Sequence, residues 1–188
     1  MVKAVIFDCF GVLTTDYWKE FVATLTAEQI EPARSIIYRY DAGKIDRADF
    51  LKSVKKLTGR TPKEVEKLKP GEMTKNIELL DYIRKLKKTY KIGLLSNIGS
   101  NWIRKSFLSE SEQAIFEQMV LSFEVGMAKP DPEIFELTAK RIGVDISQCV
   151  LVDDSEGHCW AAIKTGMQAI NYKNFVQLEG DLTDLLAA

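Results

Sequence analysis

Short runs of apolar residues, each too brief to be a helix, constrain the fold of this chain more than any other feature. They are Ala4-Val5-Ile6-Phe7, Ile92-Gly93-Leu94-Leu95, Met119-Val120-Leu121, Cys149-Val150-Leu151-Val152 and Gln168-Ala169-Ile170. A strand with one wet face alternates apolar and polar residues, whereas a strand covered on both faces is apolar throughout. Helical patterns lie between most of the runs. Ile77, Leu80, Ile83 and Leu86 recur at helical spacing, with Arg84, Lys85, Lys87 and Lys88 on the other side. Residues 132–142 form a second pattern, with Asp131 as N-cap, Pro132 at the first helical position and Gly143 as the stop. A third runs over 155–165 and is closed by Gly166. Strands alternating with helices predict an α/β fold: a Rossmann-like, doubly wound parallel sheet with helices on both faces.

One stretch breaks that rhythm. Far more residues separate the first strand from Ile92 than one crossover needs. Residues 18–25, 27–39, 47–57 and 62–68 each carry apolar residues at three-to-four spacing, and Gly43, Gly59 and Gly71 punctuate them. The expected organisation is therefore a core of residues 1–13 and 76–188, with a small helical cap inserted at 14–75.

Composition narrows the partners. The 188 residues are 46% hydrophobic and 28% charged, as in an ordinary globular protein. Lys and Arg number 26 and Asp and Glu 27, a net charge of −1 that gives no general electrostatic reason to bind nucleic acid or an anionic membrane. Three cysteines, Cys9, Cys149 and Cys159, do not make a disulfide framework. The first apolar run is too short for a signal peptide, and no stretch approaches the roughly 20 apolar residues of a membrane helix. The expectation is a soluble, cytoplasmic protein.

In an open parallel sheet, ligands bind at the carboxyl ends of the strands. Asp8-Cys9-Phe10-Gly11-Val12-Leu13 follows the first strand, Ser96-Asn97 the second and Asp153-Asp154-Ser155 the fourth. Lys129-Pro130-Asp131-Pro132 lies between the third strand and the helix that Asp131 opens. Converging on one rim, these residues suit a phosphate or metal site. A carboxylate such as Asp8 can attack an electrophilic phosphorus or carbon. A phosphoryl group would repel it, so cationic help is needed. A hard cation such as Mg²⁺ fits a nest of Asp8, Asp154 and a backbone carbonyl. Lys129 adds fixed positive charge, and the Ser96 hydroxyl can donate to phosphate oxygens.

These four segments, in this order and at this spacing, resemble the four motifs of the haloacid dehalogenase superfamily, and the likeness spans nearly the whole chain. The helical insert resembles the small cap of its first subfamily. The resemblance implies that Asp8 is the nucleophile. It implies that Asp8, the Phe10 main-chain carbonyl and Asp154 bind Mg²⁺, with Asp153 supporting the metal through water. Ser96, Asn97 and Lys129 are implied to hold the transferring phosphoryl group, Lys129 also pairing with Asp8 and Asn97 shaping its loop. The implied activity is phosphate release from a small phosphorylated metabolite through an aspartyl-phosphate.

The chain departs from that pattern at Phe10. Phosphatases of the superfamily usually carry there an Asp that protonates the leaving group and then activates water. Phe10 can do neither, and general acid–base help is worth about 10²–10⁴-fold. Turnover is expected to be slow. Two alternatives follow: a phosphate-ligand binding or regulatory protein, and dehalogenase-like attack on a carbon–halogen bond, which Asp153-Asp154 and Val12 oppose. His158, where relatives often have Asn or Asp, is expected to be structural. Tyr17, Trp18, Arg39 and Tyr40 are weighed as substrate contacts, with packing the expected role of the aromatics. The lysines of residues 52–69 are expected to form a solvated face.

Overall fold

The computed structural model describes residues 1–67 and 74–187. Five parallel strands form one sheet: β1 (Ala4–Phe7), β2 (Lys91–Ser96), β3 (Gln118–Leu121), β4 (Cys149–Asp153) and β5 (Gln168–Asn171). Their order is β3-β2-β1-β4-β5, and every neighbouring pair is parallel. The chain winds outward from β1 to β2 and β3, then returns to the other side for β4 and β5. The direction of winding reverses between β1 and β4, which opens a crevice at their carboxyl ends.

The described helices are α1 (Tyr17–Ala23), α2 (Ala27–Asp41), α3 (Arg47–Thr58), α4 (Pro62–Lys67), α5 (Ile77–Leu86), α6 (Glu110–Gln113), α7 (Ser122–Val125), α8 (Pro132–Ile142), α9 (Glu156–Lys164) and α10 (Phe175–Ala187). A π-helical turn covers Ile103–Phe107, and a 3₁₀ turn covers Ile146–Gln148. None of these helices is long and apolar enough to cross a membrane.

Alternate residues of each strand feed two separate cores. Val5, Phe7, Leu94 and Val152 pack with Leu79, Leu80 and Ile83 of α5 and Leu178 and Leu182 of α10. Ala4, Ile6, Leu95 and Leu151 pack on the opposite face with Ile134, Phe135, Ala139 and Ile142 of α8. Each such Ile, Leu or Phe, fully buried, contributes about 1.5–3 kcal/mol. This is why the strands are apolar throughout. A third apolar cluster lies within α1–α4 and comprises Phe21, Ala33, Tyr40, Phe50, Val54 and Val65.

The helices between β1 and α5 differ from expectation at their ends. Asp16 accepts from the main-chain N–H groups of Trp18 and Lys19 at 2.9 and 3.2 Å and so starts α1 at Tyr17. Helix α2 runs on to Asp41. Leu68, at the expected end of the fourth piece, and Gly71 lie outside the described residues. Asp131 occupies the N-cap position of α8, yet its side chain makes no capping hydrogen bond. Its carboxylate instead accepts from the Tyr38 hydroxyl of α2 at 2.6 Å.

Candidate active site

The register of β1 on β4 sets the site. Phe7 pairs with Val152, and the Asp8 N–H donates to the Val152 carbonyl at 2.9 Å. One step further along, Asp8 and Asp153 stand side by side with side chains on the same face. Both are buried. Two bare carboxylates so close would repel, and Lys129 resolves this. Its Nζ lies 2.5 Å from Asp153 Oδ2 and 3.0 Å from Asp8 Oδ2. The Asn97 side chain fixes Lys129 from the other side. It donates to the Lys129 carbonyl and accepts from the Lys129 N–H, both at 2.8 Å. The loop after β2 and the loop before α8 are thereby locked together.

Charge follows geometry. Burial pushes the Asp8 carboxyl well above the usual carboxylate range; Lys129 pulls it down and Asp153 pushes it up further. Burial acts the same way on Asp153, but there Lys129 and His158 win and hold it ionised. Burial disfavours the charged form of Lys129, and the two carboxylates more than offset it. One ammonium thus serves two acids, and Asp153 takes the larger share.

The turn after Asp8 is tight. The Asp8 Oδ1 accepts from the Cys9 N–H at 2.6 Å. Leu13 and Thr14 donate back to the Cys9 carbonyl at 2.8 and 3.0 Å, and Gly11 donates to the Thr14 carbonyl at 2.6 Å. Gly11 has φ +81°, and a Cβ there would overlap the carboxyl carbon of Asp154. Glycine leaves room for the Asp154 carboxyl group over position 11. The Asp154 Oδ2 pairs with Lys19 of α1 at 3.3 Å; that lysine side chain is 72% exposed, so the pair is weak. A cleft of about 460 Å³ opens here, lined in part by Gly11, Asp16, Lys19, Lys75 and Asp154.

Two arrangements could receive a cation. Oxygen and nitrogen atoms of Asp8, Asp153 and His158 lie within 4.8 Å of one another. The Lys129 ammonium already stands against both of those carboxylates, so a second cation there meets like charge. The Asp154 carboxylate, packed over Gly11, and the Phe10 carbonyl, next to Gly11 in the chain, offer oxygen only. That donor chemistry fits a hard divalent cation.

The remaining expected residues fall as follows. Ser96, at the end of β2, is fully buried, and its Oγ has no hydrogen-bond partner among the described residues. The Asn97 amide is engaged with the Lys129 main chain. Phe10 is 8% exposed and stacks on Trp102 with ring centroids 6.0 Å apart; Trp102 stacks in turn on Phe107 at 5.0 Å. Trp18 packs edge-on against Phe21 and Phe50, and Tyr40 stacks on Phe50 at 4.5 Å, so both serve the helical cluster. Arg39 is exposed, and the Tyr17 side chain lies outside the described residues. Lys52, Lys55, Lys56 and Lys63 are exposed, while the Lys67 side chain and Lys69 lie outside the described residues. All three cysteines are free and buried.

His158, expected near the site in a structural role, and Asp41, not singled out in the sequence, both lie close to it. His158 places Nδ1 3.1 Å from Asp153 Oδ1. Ser155 caps α9 by accepting from the His158 N–H, which sets His158 in the first turn, facing back to β4. Its place on the helix that follows Asp153-Asp154 is the sequence signal for this. Asp41, the last residue of α2, is buried although no partner for it is visible in sequence.

Residues 2–166 match the haloacid dehalogenase-like hydrolase family. The chain is 26% identical to the D-ribitol-5-phosphate phosphatase of Bacteroides thetaiotaomicron over 204 aligned positions, spanning 99% of each protein. It is 25% identical over 178 positions to a sesquiterpene phosphatase of Aspergillus oryzae, covering 90% of this chain and 89% of that one. A haloacid dehalogenase-family enzyme of B. thetaiotaomicron, solved with magnesium and inorganic phosphate, superimposes with a TM-score of 0.71 at 25% identity, over 95% of this chain and 99% of that one. A 2-haloacid dehalogenase from Pseudomonas syringae shares the fold alone, with a TM-score of 0.62 at 21% identity over 93% and 90% of the two chains. A parallel sheet with paired acids at its switch point defines a class of strand-end hydrolases. Within it, this chain belongs to the haloacid dehalogenase-like hydrolase family.

Proposed function

We propose that the protein is a Mg²⁺-dependent phosphatase of a small phosphorylated metabolite, working through an aspartyl-phosphate on Asp8. The observation that carries this reading is the Lys129 ammonium set between Asp8 and Asp153 at the switch point of the sheet. The two phosphatases similar over most of the chain support the reaction class, and the relative solved with magnesium and phosphate supports the cofactor.

Asp8 attacks the phosphorus. Lys129 holds the nucleophile in place and offsets the charge of the incoming group. The Ser96 hydroxyl, buried and without a partner among the described residues, donates to a phosphate oxygen. Asn97 acts through Lys129 by holding its main chain. Asp8, Asp154 and the Phe10 carbonyl would hold Mg²⁺, with Asp153 in the outer shell; when bound, the ion neutralises phosphate charge. Residues 14–75 act as a cap whose first helix walls the cleft beside Asp154. The substrate proposed is a small polyol or sugar phosphate, the class to which the Bacteroides relative's substrate belongs.

The test is a phosphate-release screen over sugar and polyol phosphates with and without Mg²⁺, with Asp8→Asn as control. The expected result is Mg²⁺-dependent release that the substitution abolishes. Release that persists in Asp8→Asn overturns the reading. Ligand binding without turnover across the panel would favour the regulatory alternative, for which Phe10 is the motive.

A further inference from the structure

Phe10 leaves the β1 loop without a proton donor for the leaving group, since its ring is committed to the stack on Trp102 and Phe107. A carboxyl group reaches the same rim from elsewhere. Asp41 ends α2, and the last turn of that helix is docked on the loops at the strand ends by several independent contacts. The Tyr38 hydroxyl donates to Asp131 at 2.6 Å. The Tyr40 ring lies so close to Gly99 that a Cβ there would overlap it. The Ser122 Oγ donates to the Asp41 carbonyl at 2.6 Å and accepts from the Ile98 N–H at 2.8 Å. The end of α2 is therefore held against the segments that follow Ser96 and Leu121 and the one that carries Lys129.

Asp41 is 5% exposed, and its Oδ1 has no hydrogen-bond partner among the described residues. A buried carboxyl oxygen without a partner is costly. A catalytic role is one of the reasons such an atom is kept. The charged groups that face it are Asp16, from the segment before α1, and Lys129, from the loop before α8. Tyr40, its neighbour on α2, senses it as well. Lys129 touches Asp8, so the cation that acts on the Asp41 charge is the nucleophile's own partner. Burial, helped by Asp16 and opposed by Lys129, raises this carboxyl to about 8, so at neutral pH it carries a proton.

We propose that Asp41 is the general acid of the reaction, delivered across the strand ends by the helical layer in place of the carboxyl absent at position 10. This rests on Asp8 being the nucleophile. As the Asp8 oxygen bonds to phosphorus, the bond from phosphorus to the leaving oxygen breaks and its electron pair stays on that oxygen. The oxygen takes the Asp41 proton and departs as an alcohol, leaving Asp41 ionised. In the second half-reaction Asp41 takes a proton from the water that attacks phosphorus. The Asp8 carboxylate is released, inorganic phosphate leaves and Asp41 is again protonated.

An acid matters for a poor leaving group and little for one that departs as a stable anion. The experiment compares kcat/KM for phenyl phosphate and 2,4-dinitrophenyl phosphate, with Mg²⁺ present, in the wild type, Asp41→Asn, Asp41→Glu and Asp8→Asn. Asp41→Asn is expected to lose about 10²-fold or more on phenyl phosphate. Its loss on the dinitrophenyl ester is expected to stay below about tenfold, which also shows that the protein is folded. Asp41→Glu is expected to recover part of the phenyl phosphate rate. Equal losses on both esters in Asp41→Asn, or no loss on either, overturn the proposal while Asp8→Asn remains inactive. Activity of Asp8→Asn on either ester instead removes the nucleophile on which the proposal stands.

Discussion

The Lys129 ammonium lies 3.0 Å from the Asp8 carboxylate, and both side chains are buried. Because the same ammonium also touches Asp153, it is the positive charge that separates two acids forced together by the β1–β4 register. Removing it leaves buried carboxylates without compensation. Lys129→Met is expected to destabilise the fold by about 3–5 kcal/mol, measured by denaturant unfolding, and to abolish turnover. A loss below about 1 kcal/mol, the scale of an exposed pair, would show that the triad is not what balances the site.

Gly11 carries a second consequence. Its φ of +81° and the overlap that any Cβ would make with the Asp154 carboxyl leave no room for a side chain. Gly11→Ala is expected to displace the Asp154 carboxylate and weaken Mg²⁺ binding by about 10–100-fold, the scale seen when the surroundings of a metal ligand are disturbed. Calorimetric titration with Mg²⁺ measures this directly. Unchanged affinity would move the cation away from Asp154.

Asp41 links the site to the pH dependence of stability. Its carboxyl is raised to about 8 in the folded protein from an ordinary value of 3.8. Between those values the folded state holds a proton that the unfolded state has lost, so this group makes stability fall as pH rises from about 4 to about 8. Its full extent is on the order of 5 kcal/mol. Asp41→Asn removes the titration. The melting temperature of the variant is expected to gain on the wild type between pH 5 and pH 8. A difference that stays constant over that range contradicts the assignment.

The sheet is legible in the sequence because its signal is local. Each strand must be apolar on both faces to fit between two layers of helix, so the runs at Ala4–Phe7 and Cys149–Asp153 announce themselves. The strand-end acids are legible for the same reason: topology fixes where they must lie once the strands are placed. Helix α10 is not, although Leu178 and Leu182 are fully buried in the core beside β1. Asn174 caps its start, accepting from the Gln177 N–H at 3.0 Å, but no glycine or proline marks its end as Gly143 does for α8.

What sequence could not show depends on how separate layers meet. Asp131 has the spacing of an N-cap, but Tyr38 from α2 claims its carboxylate. Asn97 reads as a phosphate ligand by position, while its amide matches both hydrogen-bonding groups of the Lys129 main chain. Asp41 lies on a helix rich in charged residues, and it is buried where α2 docks on Ser122 and Gly99. Such contacts join residues tens of positions apart, and periodicity carries no information about them.

The most direct measurement concerns Asp8 itself. Enzyme quenched in acid during turnover of a phosphate ester can be reduced with borohydride, which converts an aspartyl-phosphate to homoserine. Peptide mass spectrometry then reports where the phosphoryl group was carried. The account predicts homoserine at position 8 in the wild type and none in Asp8→Asn. Phosphate release with an unmodified Asp8, or modification at any other carboxylate, contradicts it.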